Sequence, residues 1–121
     1  MAVHSLFPIL LTRDLPRLCE FYERALGGTV DYRFADGAED AYVSLTIGAA
    51  SLGIGKEPEA PPVGDRVALW FSVDDVDSAF EAFTASGGTA VQLPADMPWG
   101  ERVAQVRDPD GNLVNLGAQP A

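Results

Sequence analysis

Asp14-Leu15-Pro16-Arg17-Leu18-Cys19-Glu20-Phe21-Tyr22-Glu23-Arg24-Ala25-Leu26-Gly27-Gly28-Thr29-Val30 is an amphipathic helix pattern with its own start and stop, and the chain repeats it as Asp75-Val76-Asp77-Ser78-Ala79-Phe80-Glu81-Ala82-Phe83-Thr84-Ala85-Ser86-Gly87-Gly88-Thr89-Ala90. Leu15, Leu18, Cys19, Tyr22, Ala25 and Leu26 in the first copy, and Val76, Ala79, Phe80 and Phe83 in the second, recur with helical period on one side. An aspartate opens each copy, where a short side-chain oxygen can accept from the free N–H groups of a first turn. Paired glycines close each one. The spacing is 61 residues from Asp14 to Asp75 and 60 from Gly27 to Gly87, which marks a tandem duplication.

Residues 5–11 form an apolar run too short for a buried helix and read as a strand with one ladder hydrogen bond missing at Pro8. Residues 29–34 alternate as a strand, 35–40 are a polar turn, and 41–47 with 50–54 make a hairpin around Gly48. Residues 56–65 hold three prolines and no periodic pattern, so they link the copies. The second copy follows the same order: a strand at 67–73, the helix, a strand at 89–93, a loop at 94–100 carrying Trp99, and strands at 102–107 and 113–116 around the turn Asp108-Pro109-Asp110-Gly111-Asn112. The expected fold is a single α+β domain over 1–121, with one βαβββ module at 3–55, the linker, and a second module at 66–118. The modules are expected to form a concave mixed sheet with the helices outside and a pocket between them.

Eighteen acidic residues against eight basic ones give a net charge of −10, which argues against nucleic-acid partners and anionic lipid surfaces and would draw in a cationic small molecule. Cys19 is the only cysteine and sits in the apolar stripe of the first helix, so it is expected to pack rather than react. No run approaches the ~18 apolar residues of a membrane span and no signal-peptide pattern opens the chain, so a cytoplasmic location is expected.

The layout, with Asp14-Leu15, Phe21-Tyr22, Leu26-Gly27 and the late Asp108-Pro109-Asp110-Gly111-Asn112, resembles the vicinal-oxygen-chelate superfamily of glyoxalases, extradiol dioxygenases and bleomycin-resistance proteins from about residue 5 to residue 116. Catalytic members hold a divalent metal between the two modules. The resemblance places the ligand positions at Phe7, Ala68, Asn115 and near Leu52 or Gly53, none of which suits a metal. His4, the only histidine, falls out of phase with Phe7 in an alternating strand. No metal and no cofactor are expected.

Within the superfamily the chain is most similar to the metal-free bleomycin-resistance proteins, through Pro8 and its apolar run, Arg13-Asp14, Glu20-Phe21, Pro98-Trp99-Gly100 and Arg107-Asp108-Pro109. That resemblance implies antibiotic resistance by stoichiometric drug binding, in a homodimer that exchanges its first strand near Pro8. It also implies that Trp99 stacks on the drug. Only Trp70 matches the family's second tryptophan-rich strand, and Ser72 stands where an aromatic is common. An aromatic, cationic ligand requires aromatic faces and carboxylates in an apolar cavity. Trp99 and Tyr42 supply the faces, Phe7, Ala68, Trp70 and Asn115 the floor, and Asp31, Asp36, Glu39, Asp40 and Asp96 the acidic rim. Glu101 is the candidate general base if chemistry occurs. The reading favours a binding protein; the alternative is a metal-dependent glyoxalase, lyase or dioxygenase-type enzyme with a non-standard site.

Overall fold

A computed structural model of the chain describes residues 1–119. Its elements run β1 (Ile9–Thr12), α1 (Leu15–Leu26), β2 (Thr29–Asp36), β3 (Glu39–Ile47), β4 (Ala50–Lys56), β5 (Leu69–Ser72), α2 (Val76–Ala85), β6 (Thr89–Asp96), β7 (Arg102–Arg107) and β8 (Leu113–Ala118). The two βαβββ modules are therefore present. Each contributes its own mixed four-stranded sheet, in the orders β1-β4-β3-β2 and β5-β8-β7-β6, so the expected concave sheet is divided in two. β1 lies parallel to β4 and β5 parallel to β8, and the remaining pairs are antiparallel.

The repeated helix signals act as read. Asp14 caps α1 by accepting from the Arg17 N–H at 3.2 Å, and Asp75 caps α2 by accepting from the Ser78 N–H at 3.1 Å. The glycine pairs divide their labour. Gly27 and Gly87 take positive φ, 69° and 116°, to turn the chain out of the helix. Gly28 and Gly88 fit close approaches, since a Cβ on Gly88 would stand 2.9 Å from the carbonyl oxygens of Phe83 and Arg107.

Each helix packs on one face of its own sheet, and the helices meet through aromatic edges. Phe21 and Phe83 have ring centroids 5.0 Å apart in a T-shaped arrangement, and Phe21 contacts Tyr22 the same way. Tyr22, Phe83, Val43, Leu45, Ile54, Val106, Val114 and Leu116 are buried in this shared core. Cys19 belongs to it too: burial, then the Glu23 carboxylate, pushes its thiol up to about 11, which suits a packing role. A second cross-link is polar. Tyr22 Oη donates to Asp108 Oδ2 at 2.8 Å, and Asp108 also accepts from the N–H groups of Asp110 and Asn112 and from Asn112 Nδ2. The turn at 108–112 is thereby tied to the first helix.

Several boundaries differ from the sequence reading: β2, β3, β4 and β8 each extend two residues further, taking in most of the expected turn at 35–40 and the first residue of the expected linker. Residues 5–8 lie outside the first strand, which starts at Ile9 once the Pro8 carbonyl has accepted from the Gly53 N–H at 2.9 Å; proline has no N–H to carry the ladder further back. Residues 67–68 precede β5 rather than opening it. β6 continues through Pro94 to Asp96, where a loop was expected, because β6 is an edge strand and the ladder shifts register between Gln92 and Ala95, sparing the proline a bond. Among the described residues no helix is long and apolar enough to cross a membrane.

Candidate functional site

Strand alternation gives each sheet a second face, turned away from its helix. On the first sheet Val43, Leu45, Leu52 and Ile54 point into the core. The residues between them in register form two rows on the other face: Ile9, Gly53, Ser44 and Tyr32, then Leu11, Gly55, Tyr42 and Phe34. Ile9, Leu11, Tyr32 and Phe34 are each about half exposed there. On the second sheet Val114, Leu116, Val106 and Ala104 are core, which leaves the row Trp70, Asn115, Gln105 and Gln92 across all four strands, beside the row Ser72, Gly117, Val103 and Ala95.

Two aromatic rings lie flat on these faces because glycine makes room for them. A Cβ on Gly53 would meet Tyr42 Oη at 2.4 Å, so the phenol lies across β4; Tyr32 stands 6.2 Å away, centroid to centroid. A Cβ on Gly117 would meet Trp70 Cζ2 at 2.2 Å, so the indole lies across β8. The opposite side of the indole is open, with Trp70 47% exposed. Beside it, Gln105 Nε2 donates to Asn115 Oδ1 at 3.0 Å.

The predicted residues divide into four groups. Trp70 and Asn115 are register partners on the face of the second sheet turned away from α2. Phe7 and Ala68 precede the strands to which they were assigned, and both are exposed. Tyr42 stands on the other sheet. Trp99, Glu101 and Asp96 cluster at the β6–β7 end: Trp99 Nε1 donates to Glu101 Oε1 at 2.8 Å, and Gln119 Nε2 donates to Glu101 Oε2 at 3.3 Å. Both oxygens of the candidate base are thus engaged. Asp96 accepts from Arg102, which also makes a two-point pair with Asp77. That guanidinium holds the Asp77 carboxyl below its usual range.

Glu39, Asp40 and Asp96 of the acidic rim are paired with basic side chains within the chain. Arg33 pairs with Asp40 at 2.5 Å, Lys56 pairs with Glu39 and lowers its pKa, and Thr46 Oγ1 donates to Asp31. Two cavities of about 470 and 140 Å³ meet at Trp70 and Phe71, between β5 and the turn before β4. The sequence reading missed Gln105 and Gln92, although counting out of phase from Val106 and Ala104 reaches Gln105.

A divalent metal does not fit. The positions implied for it hold a phenyl ring, a methyl, a carboxamide already accepting from Gln105, and a bare glycine beneath a phenol. Among the described residues no three His, Cys, Asp or Glu side chains converge.

Residues 3–116 match the family model of the Glyoxalase/Bleomycin resistance protein/Dioxygenase superfamily. The chain belongs to that superfamily. Among curated relatives it is 31% identical over 106 residues to CFP32 of Mycobacterium bovis and Mycobacterium tuberculosis, whose name gives glyoxylase as a provisional assignment; the match covers 88% of this chain and 41% of that protein. The chain thus spans about two fifths of the length of those relatives. It is 28% identical to YraH of Bacillus subtilis, covering 88% of this chain and 91% of YraH. Among solved structures, the bleomycin resistance determinant encoded on transposon Tn5 superposes with a TM-score of 0.75 at 24% identity, over 98% of this chain and 100% of that one. TioX from Micromonospora sp. ML1 gives 0.77 at 24% identity, over 98% of both chains.

Proposed function

We propose that this protein binds an aromatic small molecule and holds it without turnover, in the manner of antibiotic-sequestering members of its superfamily, as a cytoplasmic homodimer. The observation that carries this reading is the pair of aromatic shelves, Tyr42 over Gly53 and Gly55 and Trp70 over Gly117, on sheet faces where the donor set cannot hold a metal. The bleomycin resistance determinant among the structural neighbours supports it. A cationic ligand is favoured by the net charge of −10 alone, since most rim carboxylates already have partners. Titration with bleomycin and a panel of flat aromatic drugs should quench tryptophan emission at one ligand per site. Trp70→Ala should weaken that binding about tenfold, in line with the loss of one stacking surface. An unchanged spectrum across the panel would contradict the proposal.

Homodimer formation is proposed from the segment before β1. Val3, Leu6 and Phe7 are exposed, at 77%, 89% and 48%, and the strand they were expected to join starts only after Pro8. We place this segment on the partner subunit. Leu6→Asp combined with Phe7→Asp should shift the protein from dimer to monomer in size-exclusion chromatography with light scattering, with the helical circular dichroism preserved.

A metal-dependent enzyme is the second reading, favoured by the glyoxylase name of the mycobacterial relatives. Stoichiometric metal in protein purified without chelator would establish it over the first.

A further inference from the structure

The outer face of the second sheet carries an arrangement that points to a ligand chemistry. Trp70, Asn115, Gln105 and Gln92 form one unbroken row across β5, β8, β7 and β6, and the three residues beyond the tryptophan are all carboxamides. The hydrogen bond from Gln105 Nε2 to Asn115 Oδ1 fixes two of them and uses one donor and one acceptor. That leaves the Asn115 Nδ2 donors and the Gln105 Oε1 lone pairs for a ligand.

We propose that this row reads an uncharged amide or lactam edge on a flat ligand whose ring stacks on the open side of Trp70. The proposal rests on the aromatic-binding function above and names the chemistry of that ligand. A cis-amide presents an acceptor oxygen and a donor N–H on one edge, complementary in kind to the donor of Asn115 and the acceptor of Gln105. The row itself holds no charge. The two arginines of β7 are committed elsewhere, Arg107 to Asp65 and the Gly111 carbonyl, Arg102 to Asp77 and Asp96. A ligand carboxylate or ammonium therefore meets no counter-ion in the row, whereas a neutral amide exchanges its water for matched partners. Sites built from polar groups reject analogues lacking the matching edge, because their own donors are then left unpaired.

The test compares two flat bicyclic probes on the full chain, the lactam carbostyril and quinoline, which lacks the amide edge. Calorimetry should show the lactam binding about tenfold more tightly, the size of one net hydrogen bond on a partly exposed face. The side-chain amide resonances of Asn115 and Gln105 should shift on its addition. Asn115→Asp and Gln105→Leu should each erase the preference, while Trp70→Ala should weaken both probes. Equal affinity of the wild-type protein for the two probes, no binding of either, or amide resonances that stay in place at saturating lactam would overturn the proposal. Equal affinities that both depend on Trp70 would overturn it while leaving the aromatic-binding function standing. Equal affinities indifferent to Trp70 would remove both.

Discussion

Replacing Asp108 with alanine is expected to lower stability by about 3 kcal/mol or more, with a fall in Tm on the order of 10 °C. The carboxylate is 2% exposed and accepts four hydrogen bonds, from Tyr22 Oη, the N–H groups of Asp110 and Asn112, and Asn112 Nδ2. Truncation strands the hydroxyl of Tyr22, itself wholly buried, at the cost of an unpaired buried polar group, and releases two partly buried backbone donors. Tyr22→Phe should cost less, since Asp108 keeps its other three donors and the ring edges stay against Phe21 and Phe83. The pH dependence has a definite sign. Burial raises the Asp108 pKa against the pull of its donors, so the folded chain binds that proton more readily than the unfolded one. This group's contribution is fully present below the unfolded carboxyl value of about 3.9 and is lost as pH rises through the folded value. Asp65, Asp75 and Asp77 work in the opposite direction, because arginine or cap hydrogen bonds lower their pKa values and their contribution fades as pH falls through them. Urea titrations from pH 3 to 7 on wild type and Asp108→Asn should isolate the first term: the variant's profile should lack it and keep the second.

The fold was legible because it is written in periods. Helical stripes, alternating strands and the two Asp-to-Gly-Gly frames are local patterns, and the structure confirms ten elements in the order they imply. The first and fifth strands were overextended at their starts, because apolar residues outside a ladder look like apolar residues within one. Pro94 misled in the other direction, since only the position of β6 at a sheet edge shows that the proline costs no bond. The candidate site was legible in part. Trp70, Tyr42 and Asn115 were identifiable as residues, but the shelves depend on Gly53, Gly55 and Gly117 in neighbouring strands, and the amide row depends on register across four strands. Register is a tertiary quantity. The link from Tyr22 to Asp108 spans 86 residues, and neither end announces the other.

The glycine pairs give the second large effect, and the duplication makes it a controlled comparison. Gly88→Ala should destabilise by about 2 to 3 kcal/mol, as expected of an overpacked site. Its new methyl would stand 2.9 Å from two carbonyl oxygens, that of Phe83 at the end of α2 and that of Arg107 in β7, and neither can retreat without loosening the helix end or the β6–β7 pairing. Gly28→Ala is the internal control. There the methyl would lie 3.2 Å from Tyr22 O and from Ile47 Cγ1, and an isoleucine branch can turn aside, so the loss should be smaller. Gly27→Ala and Gly87→Ala meet nothing within 4 Å and should cost only the backbone penalty of positive φ, about 1 kcal/mol for Gly27 at 69° and more, up to about 3 kcal/mol, for Gly87 at 116°, outside the left-handed helical well. Thermal unfolding should therefore place Gly88→Ala below both Gly28→Ala and Gly27→Ala. If it melts with Gly27→Ala, the second glycine of the pair is not held by close approach, and the repeated Gly-Gly signal records chain reversal alone.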